Sequence, residues 1–428
     1  MRAKHTTGVG DSGQEGLTPR HLYVHAPFCA RRCSYCDFAV QVAAEPPVAA
    51  WVDAVANELE LVARAQGWDG SLRLVTLYLG GGTPSLLGTG AVARLLSRVA
   101  GHADAGDLEE LTVEANPESF TPELARDWRA SGVDRISLGV QTFHGPSLRW
   151  MGRLHEPGGA ARAVGTARAA GFDNVGLDLI FGLPGRLGRD LHDDLDRILA
   201  LEPEHVAVYG LSVETGTPLA RWVAEGRESV PDAERYADEY LAVADRLAAE
   251  GYEHYEVSNF ARPGRESRHN RAYWEGVPYL GLGNGAHSYL PPRRWWNHRG
   301  WQEYRTLVAR GELPRAGHEE LDTAGARLER YWLALRTREG LPARKLEDGG
   351  RALVSRWVEQ GWAAPDTERL RLTPAGWLLL DRLAVELDAT AAAPTTTAAR
   401  GGAGGEAGAG ADPGVVVGTE AAGGTGTA

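Results

Sequence analysis

The sequence predicts an α/β fold: a curled, partial barrel of six strand–helix units, (βα)6, followed by a small C-terminal α+β domain of winged-helix-like pattern. Three observations predict it. Short apolar runs alternate with longer amphipathic stretches from Leu22 to Phe260, and such alternation builds a parallel sheet with right-handed crossovers. Each unit takes roughly 30–40 residues, enough for one βαβ step. The residues with functional chemistry stand at the ends of the apolar runs, where barrels of this kind carry their sites.

Taken in order, residues 1–19 are polar and Gly-rich and are expected to be disordered, without the apolar stretch of a secretory signal. The barrel is expected over 20–262. Its strands are LYVHA (22–26), LVTLYL (74–79), LTVEA (111–115), RISLGV (135–140), NVGLDLI (174–180), HVAVYGLSV (205–213) and YEHYEVSNF (252–260). Helices are expected over Val48–Arg64, from Thr121-Pro122-Glu123 with Thr as N-cap and Pro at the first helical position, over Asp190–Leu201, and over Ala233–Ala249. After residue 260 the alternation stops. A Trp/Tyr/Gly-rich connecting region (263–315) leads to the winged-helix-like domain (316–388), with helices near Ala324–Arg338 and Arg351–Gln360. Residues 389–428 are Ala, Gly and Thr without periodicity and are expected to be disordered.

Composition excludes two partner classes. A formal charge of −12 over 428 residues, with no basic stripe in the C-terminal domain, argues against nucleic acid. That domain therefore reads as a packing or docking module. No apolar run approaches the ~20 residues that span a bilayer, so no transmembrane segment is expected. A reduced cytoplasm is the expected location.

All three cysteines, Cys29, Cys33 and Cys36, fall within eight positions. Three thiols cannot all pair with one another, and disulfides do not suit a reduced compartment. A metal site is the natural reading. Zinc would need a fourth ligand, for which His25 is the nearby candidate. The spacing Cys-x3-Cys-x2-Cys suits a [4Fe–4S] cluster held through three irons, with the fourth open. The segment resembles the loop of radical S-adenosylmethionine (SAM) proteins, in which SAM chelates that open iron.

Other residues could complete a pocket. Gly80-Gly81-Gly82-Thr83-Pro84 follows the second strand; it is either a plain turn or a place where backbone meets ligand. Glu114 and Asp178 sit in apolar strand contexts, so each meets a cation, hydroxyls or an internal ion-pair partner. Arg153 could pair with a carboxylate or form a surface salt bridge. The region from Leu22 to Phe260 resembles the oxygen-independent coproporphyrinogen III oxidase group of radical SAM proteins, whose motifs recur here in the group's order. The resemblance implies SAM contacts from Tyr23, Tyr35, Gly81, Gly82, Thr83, Glu114, Gln141, Arg153 and Asp178.

Two readings then compete. One is the oxidase, which decarboxylates coproporphyrinogen. The other is the heme-chaperone branch of the same group, which binds heme and hands it to acceptor proteins. Cys36-Asp37-Phe38 lacks the oxidase's fourth cysteine. Arg268-His269-Asn270-Arg271-Ala272-Tyr273-Trp274 matches the chaperone's His-Asn-x-x-Tyr-Trp pattern and stands where the oxidase has Gln-Gly-Tyr-Thr. The resemblance therefore implies heme contacts from His269, Tyr273 and Trp274, heme-acceptor partners, respiratory proteins among them, and an electron donor such as flavodoxin or ferredoxin. No residue is assigned a catalytic role, and oxidase activity is not expected. By their chemistry alone, His269 is equally a buried, hydrogen-bonded histidine, and His287 and His298 are rival ligands.

Overall fold

The computed structural model describes residues 18–68 and 72–392. The two expected disordered ends lie almost entirely outside these residues; the described part of the second, 389–392, closes a helix.

One twelve-stranded sheet dominates the described residues. Its centre is six parallel strands in sequence order: β1 (His21–Ala26), β2 (Thr76–Gly81), β3 (Glu110–Ala115), β4 (Arg135–Gln141), β5 (Val175–Phe181) and β6 (His205–Gly210). Each strand alternates with a period of two. Leu22, Val24, Leu77, Leu79, Leu111, Val113, Ile136, Leu138, Leu177, Leu179, Val206 and Val208 are buried in the core. Burying one such side chain contributes about 1.5–3 kcal/mol. The opposite face carries Tyr23, Tyr78, Glu114, Ser137, Asp178 and Tyr209, and it lines the interior with polar groups.

Helices connect the strands. They are α1 (Val48–Gln66), α2 (Ala91–Val99), α3 (Pro122–Ala130), α4 (Gly145–Met151), α5 (Gly159–Ala169), α6 (Leu191–Leu199), α7 (Pro218–Ala224) and α8 (Ala233–Ala249). The expected N-cap is present: Thr121 Oγ1 accepts from Leu124 N at 3.2 Å, with Pro122 at the first helical position. Asp190, expected inside its helix, is instead the cap of α6 and accepts from His192 N.

Two strand readings change. YEHYEVSNF is not one parallel strand but a hairpin, β7 (Glu253–Glu256) and β8 (Asn259–Ala261), with β8 antiparallel to β6. Glu256 folds the chain back by accepting from Ser258 N at 3.0 Å and from Asn259 Nδ2. Nor does the sheet end near residue 260. The short helix α9 (Arg268–Trp274) leads into β9 (Tyr279–Leu282), which is parallel to β1. β10 (His287–Leu290), β11 (Arg293–Asn297) and β12 (Arg315–Glu320) follow as an antiparallel meander, with α10 (Trp301–Ala309) before the last strand. These strands are short and broken by Gly, Pro and charge, so their sequence carries no clear period.

The C-terminal part holds α11 (Thr323–Leu335), α12 (Asp348–Glu359), α13 (Pro374–Trp377) and α14 (Leu380–Ala392), with a short antiparallel pair, Leu341–Pro342 and Arg369–Leu370. It packs on the barrel through Trp377, whose ring meets His254 edge-on at 4.4 Å. Two of its arginines pair with acids: Arg327 with Asp388 at 2.6 Å and Arg382 with Glu386 at 2.7 Å.

Candidate functional site

Beyond β1 the chain forms the cysteine loop. Phe28–Cys29 pairs with Gln41–Val42 and closes the loop at its base. Ser34 N donates to Met151 O at 3.0 Å, and Leu219 N donates to Ser34 O at 2.9 Å, tying the loop to α4 and α7. Thr83 Oγ1 lies 3.5 Å from Cys29 Sγ and Arg153 Nη1 3.9 Å from Cys33 Sγ. Burial, reinforced by the neighbouring cysteines, pushes the Cys29 thiol up and the Cys36 thiol up to about 12. Thiols packed this closely need a metal to hold them as thiolates.

A mononuclear zinc site does not fit. Among the described residues, no three His, Cys, Asp or Glu side chains converge on one ion. His25 is also taken, with Nδ1 bonded to the Tyr23 hydroxyl at 3.0 Å and Nε2 to Ala39 O at 3.2 Å. A four-iron cluster asks for three thiolates on three different irons, and this donor set fits it.

The glycine turn serves the protein's own packing first. A Cβ at Gly81 would stand 2.4 Å from the His25 ring, at a φ of +113°. One at Gly82 would meet Ala26 O and Phe28 O at 2.8 Å. Glycine here lets β2 press against the cysteine loop. Gly81 N donates to Glu114 Oε2 at 3.0 Å and the Tyr78 hydroxyl to Glu114 Oε1 at 2.9 Å. Burial, then the charge of Asp178, pushes Glu114 up to about 8. Asp178 accepts from Ser137 Oγ at 3.0 Å, and burial lifts it to about 6. Of the alternatives left open for these carboxylates, hydroxyl and amide donors are what the protein supplies. A cationic ligand would complete them.

Arg153 is half-buried and turned inward, not a surface bridge. Its Nη2 donates to Asn116 Oδ1 at 2.7 Å and Gly139 O at 2.6 Å, while Nε has no partner among the described residues. Asn116 Nδ2 also donates to Thr83 Oγ1 at 3.2 Å. Asn116 thus joins the glycine turn to Arg153, a role not assigned from sequence although it lies two residues past Glu114. Gln141 closes β4 at a φ of +67°, an uncommon backbone for a residue with a side chain, and its amide lies beside Gly139. Tyr35 is half-buried beside Cys33, Cys36 and Arg153, and desolvation raises its hydroxyl pKa. Of the nine residues expected to contact SAM, Tyr35 lies on the cysteine loop, Gly81, Gly82, Thr83, Glu114 and Gln141 at or just past strand ends, Tyr23 and Asp178 in mid-strand, and Arg153 just past α4.

His269 is 1% exposed. Its Nδ1 is bonded to Thr76 Oγ1 at 2.7 Å and its Nε2 to the Tyr273 hydroxyl at 2.8 Å. The ring lies 5.3 Å from that of Tyr78, so α9 reaches the barrel interior. Trp274 turns the other way, under the Arg336 guanidinium at 4.0 Å.

Comparison with known proteins sets this geometry in a family. The family model for the Radical SAM superfamily matches residues 23–198. The heme chaperone HemW of Mycobacterium tuberculosis is 41% identical over 366 residues, covering 85% of this chain and 93% of that protein. The chain belongs to the HemW family. The Lactococcus lactis HemW is 35% identical over 369 residues, covering 84% of this chain and 95% of its own length. Among solved structures, coproporphyrinogen III oxidase (HemN) from Escherichia coli superposes with a TM-score of 0.72 at 21% identity, covering 88% of this chain and 92% of that one. That likeness shows the shared fold. Membership of the radical SAM superfamily implies a [4Fe–4S] cluster and SAM. No helix among the described residues is long and apolar enough to cross a membrane.

Proposed function

We propose that the protein is a heme chaperone that binds heme and passes it to acceptor proteins. The observation that carries this is the 41% identity to the HemW of Mycobacterium tuberculosis across 93% of that protein. The oxidase-like fold alone would serve either reading. The chemistry of the loop supports the chaperone, because the chain's three cysteines are all committed to the cluster and Phe38 stands where the oxidase has a fourth.

In this proposal Cys29, Cys33 and Cys36 hold the cluster, and Tyr23, Tyr35, Gly81, Gly82, Thr83, Glu114, Gln141, Arg153 and Asp178 hold SAM. When bound, the cluster supplies an open iron and one electron. Arg153 offers its unpaired Nε to a carboxylate, and Glu114 and Asp178 offer buried oxygens to an ammonium or a ribose diol. His269 and Tyr273 belong to the heme region, with the condition that His269 must release Tyr273 to free Nε2, while Trp274 steadies the helix from its other side under Arg336. Respiratory acceptors met at a membrane surface, and a flavodoxin or ferredoxin as donor, complete the proposal.

The test uses anaerobically reconstituted protein. Heme is titrated by absorbance, and coproporphyrinogen turnover is assayed on the same sample. Binding of about one heme per chain without decarboxylation is expected, because the chain holds a single His-Asn-x-x-Tyr-Trp segment. Conversion to protoporphyrinogen would overturn the proposal.

A further inference from the structure

Asn116 sits at the middle of a chain of hydrogen bonds that runs from one cysteine of the loop to another. It stands one residue past β3, and its backbone is held on both sides. Its N donates to Ser85 Oγ at 3.2 Å and its O accepts from Ser119 N at 3.1 Å, while the two serine hydroxyls meet at 2.6 Å. With the backbone held, the amide lies between Thr83 and Arg153. Oδ1 accepts from Arg153 Nη2 at 2.7 Å, and Nδ2 donates to Thr83 Oγ1 at 3.2 Å. Beyond these two neighbours lie two sulfurs: Thr83 Oγ1 is 3.5 Å from Cys29 Sγ, and Arg153 Nη1 is 3.9 Å from Cys33 Sγ.

What each group can donate fixes the direction of every bond in the chain. A guanidinium has donors only, so the amide must turn its oxygen to Arg153 and its NH2 to Thr83. Thr83 Oγ1 then accepts from Asn116, and its single hydrogen is left for Cys29 Sγ. Gly139 O accepts from the same Arg153 nitrogen at 2.6 Å, which leaves Nη1 to Cys33. Both ends of the chain therefore present hydrogen to sulfur. Thr83 is 4% and Cys29 9% exposed, so water competes little at that end.

Hydrogen bonds to the sulfurs are among the factors that set an iron–sulfur potential, because they offset the added negative charge of the reduced state. We infer that Asn116 is a positioning residue that raises the reduction potential of the cluster. Its amide orientation makes Thr83 a donor to Cys29 and steadies Arg153 as a donor toward Cys33. The same grip holds Arg153 with its Nε unpaired, so SAM binding depends on Asn116 as well. This inference rests on a cluster at the three cysteines and is independent of heme.

The experiment compares anaerobically reconstituted full-length protein with its Asn116→Leu, Asn116→Asp, Thr83→Val and Asn116→Asp/Thr83→Val variants. Iron and sulfide content is measured first. Each cluster is then titrated without SAM, using dithionite and redox mediators, and the electron paramagnetic resonance of the reduced form is read. All variants should keep their cluster, because the three thiolates are unchanged. Asn116→Leu, which adds no charge, should lower the reduced-to-oxidised ratio at fixed poise by about threefold, the scale of one modest hydrogen bond. Thr83→Val should lower it to a similar degree. In Asn116→Asp the carboxylate has no hydrogen to give, so the Thr83 hydroxyl turns to it and leaves Cys29. The double variant should therefore fall by less than the two single effects combined, since the bond to Cys29 can be lost only once. Asn116→Leu should also bind SAM about tenfold more weakly, as Arg153 loses a charge-assisted bond. Unchanged potentials in Asn116→Leu and Thr83→Val, whatever their stability, would overturn the inference, and so would full additivity in the double variant. A wild type that reconstitutes no cluster would remove the cluster reading itself, and this inference with it.

Discussion

The helix that bears His269 and the sheet face that bears His287 come from the same stretch of chain, yet they use their aromatic and imidazole groups in opposite ways. At the start of α9 the backbone and the His269 ring are fully bonded. Glu110 accepts from Ser267 Oγ, Arg268 N and His269 N, and the His269 ring bridges Thr76 and Tyr273. On β10 the His287 ring stacks on the Trp296 indole of β11 and has no hydrogen-bond partner among the described residues. A short sequence pattern marks the first region clearly, while the second is marked by what its groups leave unmet. A bonded histidine can take a ligand only by releasing a partner, whereas an unbonded one has none to release.

The largest effect that would sharpen this contrast lies at the cysteine loop beside the second region. Cys33→Ser should abolish the cluster's visible absorption and its iron and sulfide content. Amide exchange of α9 should stay as in the apoprotein, because no bond joins the loop to that helix. Loss of protection in α9 would show that the two regions are one unit.

Next in size is the anchor behind the β10 face. Glu58 of α1 accepts from Gly283 N at 2.8 Å, Asn297 Nδ2 at 2.6 Å and the Tyr304 hydroxyl at 2.7 Å, which fixes β9, β11 and α10 together. Glu58→Ala leaves three buried donors unmet and should cost on the order of 3–5 kcal/mol in denaturant unfolding. An effect below about 1 kcal/mol would mean that water reaches the site. Glu110→Ala should cost less, about 2–3 kcal/mol, since α9 begins near the rim where water can replace part of the loss. Heme affinity should fall with it, because Glu110 holds the start of the helix that bears His269. Unchanged heme affinity would move the ligand off His269.

The smallest effect is in pH. Burial pushes Glu58 up to about 7 from its ordinary 4.5. A carboxyl raised on folding adds stability that is full below its unfolded pKa and is lost as pH rises through the folded value. The wild type should therefore lose part of its melting temperature between about pH 5 and 8, and Glu58→Gln should flatten that slope. Glu114 and Asp178, raised to about 8 and about 6, act in the same direction in both proteins, so the difference between the two curves isolates Glu58.

Much of this was legible in the chain itself. The six parallel strands follow from their apolar runs, the Thr121 cap from Thr-Pro-Glu, and the cluster from three cysteines in eight positions, because each depends on neighbours a few residues away. The residues expected to contact SAM were named from the chain, although their protein partners were not. Asn116 bonds Thr83 and Arg153 from 33 and 37 residues away, and no local pattern reports such a pairing.

What only the tertiary structure decided is how each group's valences are filled. Sequence put His269 forward, with His287 and His298 as rivals. Folding set Thr76, 193 residues away, against His269 and Glu303 against His298. It left His287 stacked on an indole, with no hydrogen-bond partner among the described residues. A side chain's chemistry belongs to the residue, but whether that chemistry is free for a ligand depends on contacts that close only when distant strands meet.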